Sequence, residues 1–180
     1  MRRLNMFLAA GMLVTFVLHA VAGALKLLGA DSGAMKAAAW TCLVLAMIHA
    51  AVSVVLTFQT LHVQRVSGAA YFKDNLIFWA RRISGLALII PLVMHVLLFQ
   101  ADTSGGAVRL QVFTQGRLVS QILLVLTIAF HVLTNIEPML ISFGIKSTKA
   151  FSHDAMFVLS VVLLLACVGF GAYYARWAAV

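Results

Sequence analysis

The sequence predicts an all-α integral membrane protein built as one bundle of five transmembrane helices. Of its 180 residues, 63% are hydrophobic and only 10% charged. The apolar residues fall into five runs, Leu4–Leu28, Ala37–Leu61, Asn75–Phe99, Arg117–Phe143 and Ala155–Ala178. Each reaches the roughly 20 residues that a bilayer requires of a helix. Membrane strands are excluded, because an open sheet edge has no hydrogen-bond partners in lipid and no ten-residue alternation of apolar and polar residues occurs. No polar stretch exceeds about 20 residues, whereas a globular domain needs about 50. Residues 1–180 therefore form a single domain.

The first run follows Arg2 and Arg3 and contains Ala20-Val21-Ala22-Gly23-Ala24, a combination that imitates a cleavable signal peptide. It continues to Leu28, long enough to span, and removal would take away His19, so retention is the expectation. The second run opens near Trp40. Arg81 and Arg82 stand at the entry of the third, which contains Pro91, and the fourth contains Pro138. A proline inside a helix cannot donate to the carbonyl four residues earlier, so both helices are expected to kink. The fifth ends in Tyr173, Tyr174 and Trp177, which with Trp40 and Trp79 suit the aromatic belts at membrane surfaces. The links are expected at Gly29–Lys36, His62–Asp74, Gln100–Gly116 and Gly144–Asp154. The third, carrying Asp102-Thr103-Ser104-Gly105-Gly106, is long enough to fold back against the bundle.

A formal charge of +8 resembles that of a nucleic-acid binder until the cations are placed. They cap apolar runs and form no basic stripe with interleaved aromatics, so no nucleic-acid partner is expected. With the N-terminus cytoplasmic, the inner side collects Arg2, Arg3, Arg65, Lys73, Arg81, Arg82, Lys146 and Lys149. The outer side collects Lys26, Lys36, Arg109, Arg117 and Arg176. The inner excess favours this orientation and a multi-pass protein of the cytoplasmic (inner) membrane. Cys42 and Cys167 lie inside apolar runs and make neither a Cys-x-x-Cys-His haem attachment nor an iron–sulfur ligand set.

Four of the runs carry one histidine each: His19, His49, His95 and His131. An ionisable group within a membrane is costly unless it is paired, bound to a metal or turned to a polar interior. At about 1.5 Å per residue, His19 and His95 fall in the outer half, while His49 and His131 fall near the middle or slightly inside it. Each level thus holds two imidazoles from different helices, the axial ligand set of a six-coordinate haem b. The pairs are His49 with His131 and His19 with His95, and the expected cofactors are two haem b groups enclosed by the bundle. Ala20, Gly23, Ala46, Ala50 and Ser53 are small enough to admit a flat macrocycle. Asn135 and Thr127 are candidates to orient a ring or meet a propionate. Arg82 and Ser84 on the inner side, with Lys26, Arg117 and Gln121 on the outer, are candidate propionate partners. The alternative is that these histidines hydrogen-bond neighbouring helices. His62 and His153 are read as lying in inner loops.

With these residues in view, the chain resembles the di-haem, b558-type cytochrome b anchor of succinate:quinone oxidoreductases, the succinate dehydrogenases and fumarate reductases. The resemblance is carried by Arg2-Arg3-Leu4 leading to His19, Ile48-His49-Ala50, Tyr71-Phe72-Lys73, Arg82-Ile83-Ser84-Gly85, Met94-His95-Val96, Ala129-Phe130-His131 and Ser142-Phe143-Gly144-Ile145. It covers nearly the whole chain. It implies that helices 2 and 4 hold the haem nearer an iron–sulfur subunit and helices 1 and 3 the distal one. It also implies an FAD-containing flavoprotein and an iron–sulfur protein docked on the cytoplasmic face, and menaquinone as the quinone. A dimer of such three-subunit units is an open alternative to a single one. Some fumarate reductases of this type have an acidic residue two positions before the fourth ligand, where this chain has Ala129, and Glu137 lies on another face.

The expected function is electron transfer between quinone and those soluble subunits, without a succinate or fumarate site in this chain. Two alternatives stay open: the cytochrome b anchor of a hydrogenase or formate dehydrogenase, and a haem-free transporter or structural anchor. The quinone site is expected at the outer end near the distal haem. Asp31 is the first candidate for its hydrogen-bonding group, with Gln100 and Asp102 also there and Glu137 on the inner side as the fallback. The inner links, with Arg65, Lys73, Lys146 and Lys149, are expected to receive the soluble partners.

Overall fold

A computed structural model describes residues 1–28, 35–67, 76–99, 112–145 and 148–178. All secondary structure among these residues is helical: α1 (Arg2–Leu27), α2 (Met35–Ser67), α3 (Leu76–Ala87), α4 (Ile89–Leu98), α5 (Gln115–Ser142) and α6 (Thr148–Ala178). Five spans among them are long and apolar enough to cross a membrane, with α3 and α4 together forming the third, Leu76–Leu98. Cross-helix contacts give an up-and-down order. Ser53 on α2 meets Asn5 at the start of α1, Arg176 near the end of α6 meets the end of α1, and both Arg81 and Ser84 meet the later part of α5.

The helices run further than hydropathy alone predicts at the end of the bundle where α1 begins. His62 and His153, expected in loops, lie within α2 and α6, and both are exposed. The reason is local: neither Gln59–Ser67 nor Thr148–Asp154 contains a proline or glycine, so nothing stops the backbone ladder where the side chains turn polar. At the start of α5 the side-chain oxygen of Thr114 accepts from the Arg117 backbone N–H at 3.4 Å, which sets the first turn two residues before the expected Arg117. At its far end Gly144 takes the left-handed conformation, φ 78°, and the Ile145 N–H donates back to the Leu140 carbonyl at 3.3 Å. That conformation strains any residue with a Cβ, and glycine closes the helix there.

The two prolines have different consequences. Pro91 cannot donate to the Ala87 carbonyl, and Ala87 is the last residue of α3. Leu88 keeps helical angles, φ −65° and ψ −26°, so the ladder lapses for one residue without unwinding. Pro138 leaves the Thr134 carbonyl without its usual donor, yet α5 continues through it. Arg81 Nε, from α3, donates to that carbonyl at 2.7 Å. The vacancy in one helix is filled by a side chain from another, and the two helices are joined where either alone would be weak.

In packing, α1 lies between α2 and α6, while α5 lies against α6 and against both α3 and α4. The best-buried cluster, Leu98, Phe113, Val125, Leu159, Leu163 and Phe170, sits where α4, α5 and α6 meet. Phe113, just before α5, is 2% exposed, so the end of the Gln100–Gly116 link does pack on the bundle; residues 100–111 lie outside the described residues. The outward surface is the reverse of a water-soluble protein. Phe58, Ile90 and Phe157 are each about 70% exposed or nearly so, among many large apolar side chains. At about 25 cal/mol per Å² such a surface is disfavoured in water and at ease against acyl chains. Several hydroxyls within the spans bond to their own helices: Thr57 and Thr60 donate to the Ser53 and Leu56 carbonyls, and Ser160 to that of Met156.

Glycine at 169 lets α6 approach α1 closely, because a Cβ there would stand 3.3 Å from Ala24 Cα. Gly169→Leu should therefore force α1 and α6 apart and destabilise the protein by about 1–3 kcal/mol, read as a lower unfolding midpoint in mixed micelles. Gly171→Ala, where a Cβ meets nothing within 4 Å, should leave the midpoint nearly unchanged.

Candidate paired-imidazole site

The four histidines of the apolar spans fall into two groups. His19 on α1 and His95 on α4 face each other with ring centroids 6.0 Å apart and planes at 88°. His95 Nδ1 lies 2.7 Å from Gln121 Oε1 on α5. Gln121 has no solvent exposure, and its Nε2 donates to Ser120 Oγ at 3.1 Å. Phe99 and Phe170 flank the His95 ring at 5.1 and 6.3 Å. His19 Nδ1 is buried without a hydrogen-bond partner among the described residues.

The second group occupies a cavity of about 250 Å³. His49 on α2 and His131 on α5 both line it, together with Arg2, Asn5, Arg81 and Arg82. His131 Nδ1 and Ser84 Oγ are 3.0 Å apart, and Ser84 donates to the Arg81 carbonyl at 3.1 Å. Gly85 is needed for this approach: a Cβ on it would come within 3.2 Å of His131 Cε1. The Arg82 guanidinium stacks over Phe78 at 5.1 Å. Buried and polar, His49 Nδ1 has no hydrogen-bond partner among the described residues. Such an atom costs about 1–3 kcal/mol when left unpaired, so the site is built for something more than packing.

The donor set and the spacing of the first pair suit an iron held between two imidazoles. Two imidazoles bound to one metal through bonds of about 2 Å have ring centres about 6 Å apart, which is the His19–His95 spacing. Among the described residues no three of His, Cys, Asp and Glu converge, so each group offers two protein ligands. The cavity at His49 and His131 is just below the roughly 300–1,000 Å³ of cofactor pockets. Met6, Met12 and Met139 on its wall are unbranched and can turn aside to enlarge it.

Several expected roles are redistributed. Ser84, expected to meet a propionate, is buried and turned to His131 instead, because α3 presents it to α5. Gln121 is directed to His95. Asn135 lines the cavity but its amide donates to the His131 carbonyl at 2.7 Å, and Thr127 donates to Leu123 on its own helix. Arg117 donates to the Val112 carbonyl at the start of α5, and Lys26 is exposed in the last turn of α1. Asp31, Gln100, Asp102, Lys73 and Lys146 lie outside the described residues, and Glu137 is exposed. Asn5 was not singled out in the sequence, and Arg81 was read only as a cation at the entry of the third span; the signal for its role was Pro138, whose missing N–H leaves the Thr134 carbonyl open to another donor. No protein-family model, curated protein or solved structure matches this chain.

If Arg81 substitutes for the missing N–H at Pro138, Arg81→Ala should cost about 1–3 kcal/mol. The loss should be smaller in a Pro138→Ala background, where residue 138 can donate to Thr134 itself. A double-mutant cycle on unfolding free energy, with a coupling of about 1 kcal/mol or more, is the expected result.

Proposed function

We propose that this chain is a membrane electron-transfer subunit that holds two b-type haems, His19 with His95 and His49 with His131, and links the quinone pool to soluble redox subunits. The observation that carries the reading is the grouping of four imidazoles from four spans into two pairs, one with its rings 6.0 Å apart and the other lining a single cavity. When bound, bis-imidazole haem supplies a one-electron carrier whose axial positions are both taken by protein. The chain's own contribution is to hold the imidazoles at two depths in a medium without water. Arg2, Arg81 and Arg82 place positive charge around the second cavity, which suits the carboxylates of a haem edge.

The cation distribution supports an N-terminus on the cytoplasmic side of the inner membrane. In that orientation the His49/His131 pair lies nearer the cytoplasm. The subunits to dock there would be an FAD flavoprotein and an iron–sulfur protein, as the resemblance to succinate:quinone oxidoreductase anchors suggests, with menaquinone reacting at the opposite end. The quinone reaction there takes up or releases protons, and Asp31 is the proposed group for their exchange.

Purified protein should contain about two haems per chain by pyridine haemochrome, with the sharp reduced bands of paired-imidazole ligation. His19→Ala and His95→Ala should lose one spectral component, and His49→Ala and His131→Ala the other, leaving about one haem each. A colourless protein from haem-replete cells would overturn the reading, and loss of the same component from His19→Ala and His49→Ala would overturn the pairing. Asp31→Asn should slow quinol-linked turnover while leaving both components intact. Unchanged quinol kinetics would move the quinone site away from Asp31.

A further inference from the structure

Two chains of polar groups inside the bundle share one construction. In the first, Ser120 Oγ donates to the Arg117 carbonyl at 2.7 Å, Gln121 Nε2 stands 3.1 Å from Ser120 Oγ, and Gln121 Oε1 stands 2.7 Å from His95 Nδ1. In the second, Ser84 Oγ lies 3.1 Å from the Arg81 carbonyl and 3.0 Å from His131 Nδ1. Each begins at a main-chain carbonyl three residues before a serine and ends at the Nδ1 of an intramembrane histidine.

The protons in these chains can be counted. A peptide carbonyl only accepts, and a serine hydroxyl has a single proton. Ser120 commits its proton to Arg117, so it must accept from its other neighbour, the Gln121 amide NH₂. That turns the Gln121 carbonyl oxygen to His95, and because this oxygen only accepts, the proton between them belongs to His95 Nδ1. With its proton given to the Arg81 carbonyl 3.1 Å away, Ser84 accepts at its oxygen from His131 Nδ1, 3.0 Å away, and the proton between them then belongs to His131. An imidazole protonated on Nδ1 alone keeps its lone pair on Nε2. Gln121 and Ser84 are 0% and 4% exposed, so water is not at hand to replace either acceptor.

We propose that Gln121 and Ser84 are positioning residues that fix His95 and His131 as Nδ1–H tautomers, so that each histidine pair has one imidazole preset to bind through Nε2. The tautomers are inferred from the hydrogen-bond geometry; the use made of Nε2 rests on the haem reading. The two anchors differ in strength. The 2.7 Å contact to an amide oxygen pulls the His95 proton harder than the 3.0 Å contact to a hydroxyl pulls that of His131. A harder pull makes Nε2 a better electron donor and stabilises the oxidised metal. Gln121 therefore lowers the reduction potential of the His19/His95 centre, and Ser84 affects only the other.

The test uses the full-length protein in lipid bilayers. In haem-free protein labelled with ¹⁵N-histidine, two of the intramembrane imidazoles should show a protonated Nδ1 and a bare Nε2. Gln121→Leu and Ser84→Ala should each convert one of these signals to a mixture of tautomers, and Ser84→Thr should restore the second. In haem-loaded protein, Gln121→Leu should raise the midpoint potential of one spectral component, the one lost in His95→Ala, and leave the other in place. Nε2–H forms for His95 and His131, or tautomers unmoved by both substitutions, would overturn the proposal even if haem is bound. Protein that binds no haem would overturn the proposed function instead, and the nitrogen spectra would still decide the tautomers.

Discussion

A polar atom carried into the apolar interior of this bundle is costly unless another group of the protein meets it. Much of the tertiary organisation follows from that demand. Thr57 and Ser160 answer it locally by donating to carbonyls of their own helices. Ser53 reaches Asn5 on α1, and His95 and His131 take partners from neighbouring helices. The two histidine contacts tie α4 and α3 to α5. They also settle how α5 is rotated, since Gln121 and His131 must both be turned toward the third span.

Proline turns the same demand into a design choice. At Pro91 the carbonyl left behind coincides with the end of α3, and the third span becomes two helices joined at Leu88. At Pro138 the carbonyl left behind is met by Arg81, and α5 stays whole. Arg81 thereby contributes twice, its side chain to Thr134 and its own carbonyl to Ser84. The residue that repairs α5 is one link from the residue that orients His131. Gly85, next along α3, leaves room for that ring.

The two histidine pairs are therefore unequal within themselves. In each, the partner from the third span or α5 is held at Nδ1, whereas the partner from α1 or α2 is not held at that atom by any described residue. In the packing, α2 has its main contact with α1, α3 and α4 lie on α5, and α6 joins α1 to α5. For a chain proposed to carry electrons at two depths, one fixed imidazole per pair sets the ligand geometry. The other can then follow the α1–α2 hairpin as it settles.

Much of this protein was legible in the sequence because the relevant physics is one-dimensional. Span number and length follow from how many consecutive residues tolerate hydrocarbon, and the depth of each histidine follows from the rise of a helix, so the grouping of His19 with His95 and His49 with His131 could be reasoned from residue numbers. Helix ends were less legible: His62 and His153 sit in helices because hydropathy reports where the membrane ends, not where the backbone ladder does. What faces each imidazole was decided only by tertiary structure. Ser84 and Gln121 could be named from the sequence as polar candidates, but the groups they meet depend on the rotation of α3 and α5 about their axes, which is set by close packing against other helices. Rotation is a property of pairs of helices, and hydropathy, which averages over every face of a helix, cannot encode it.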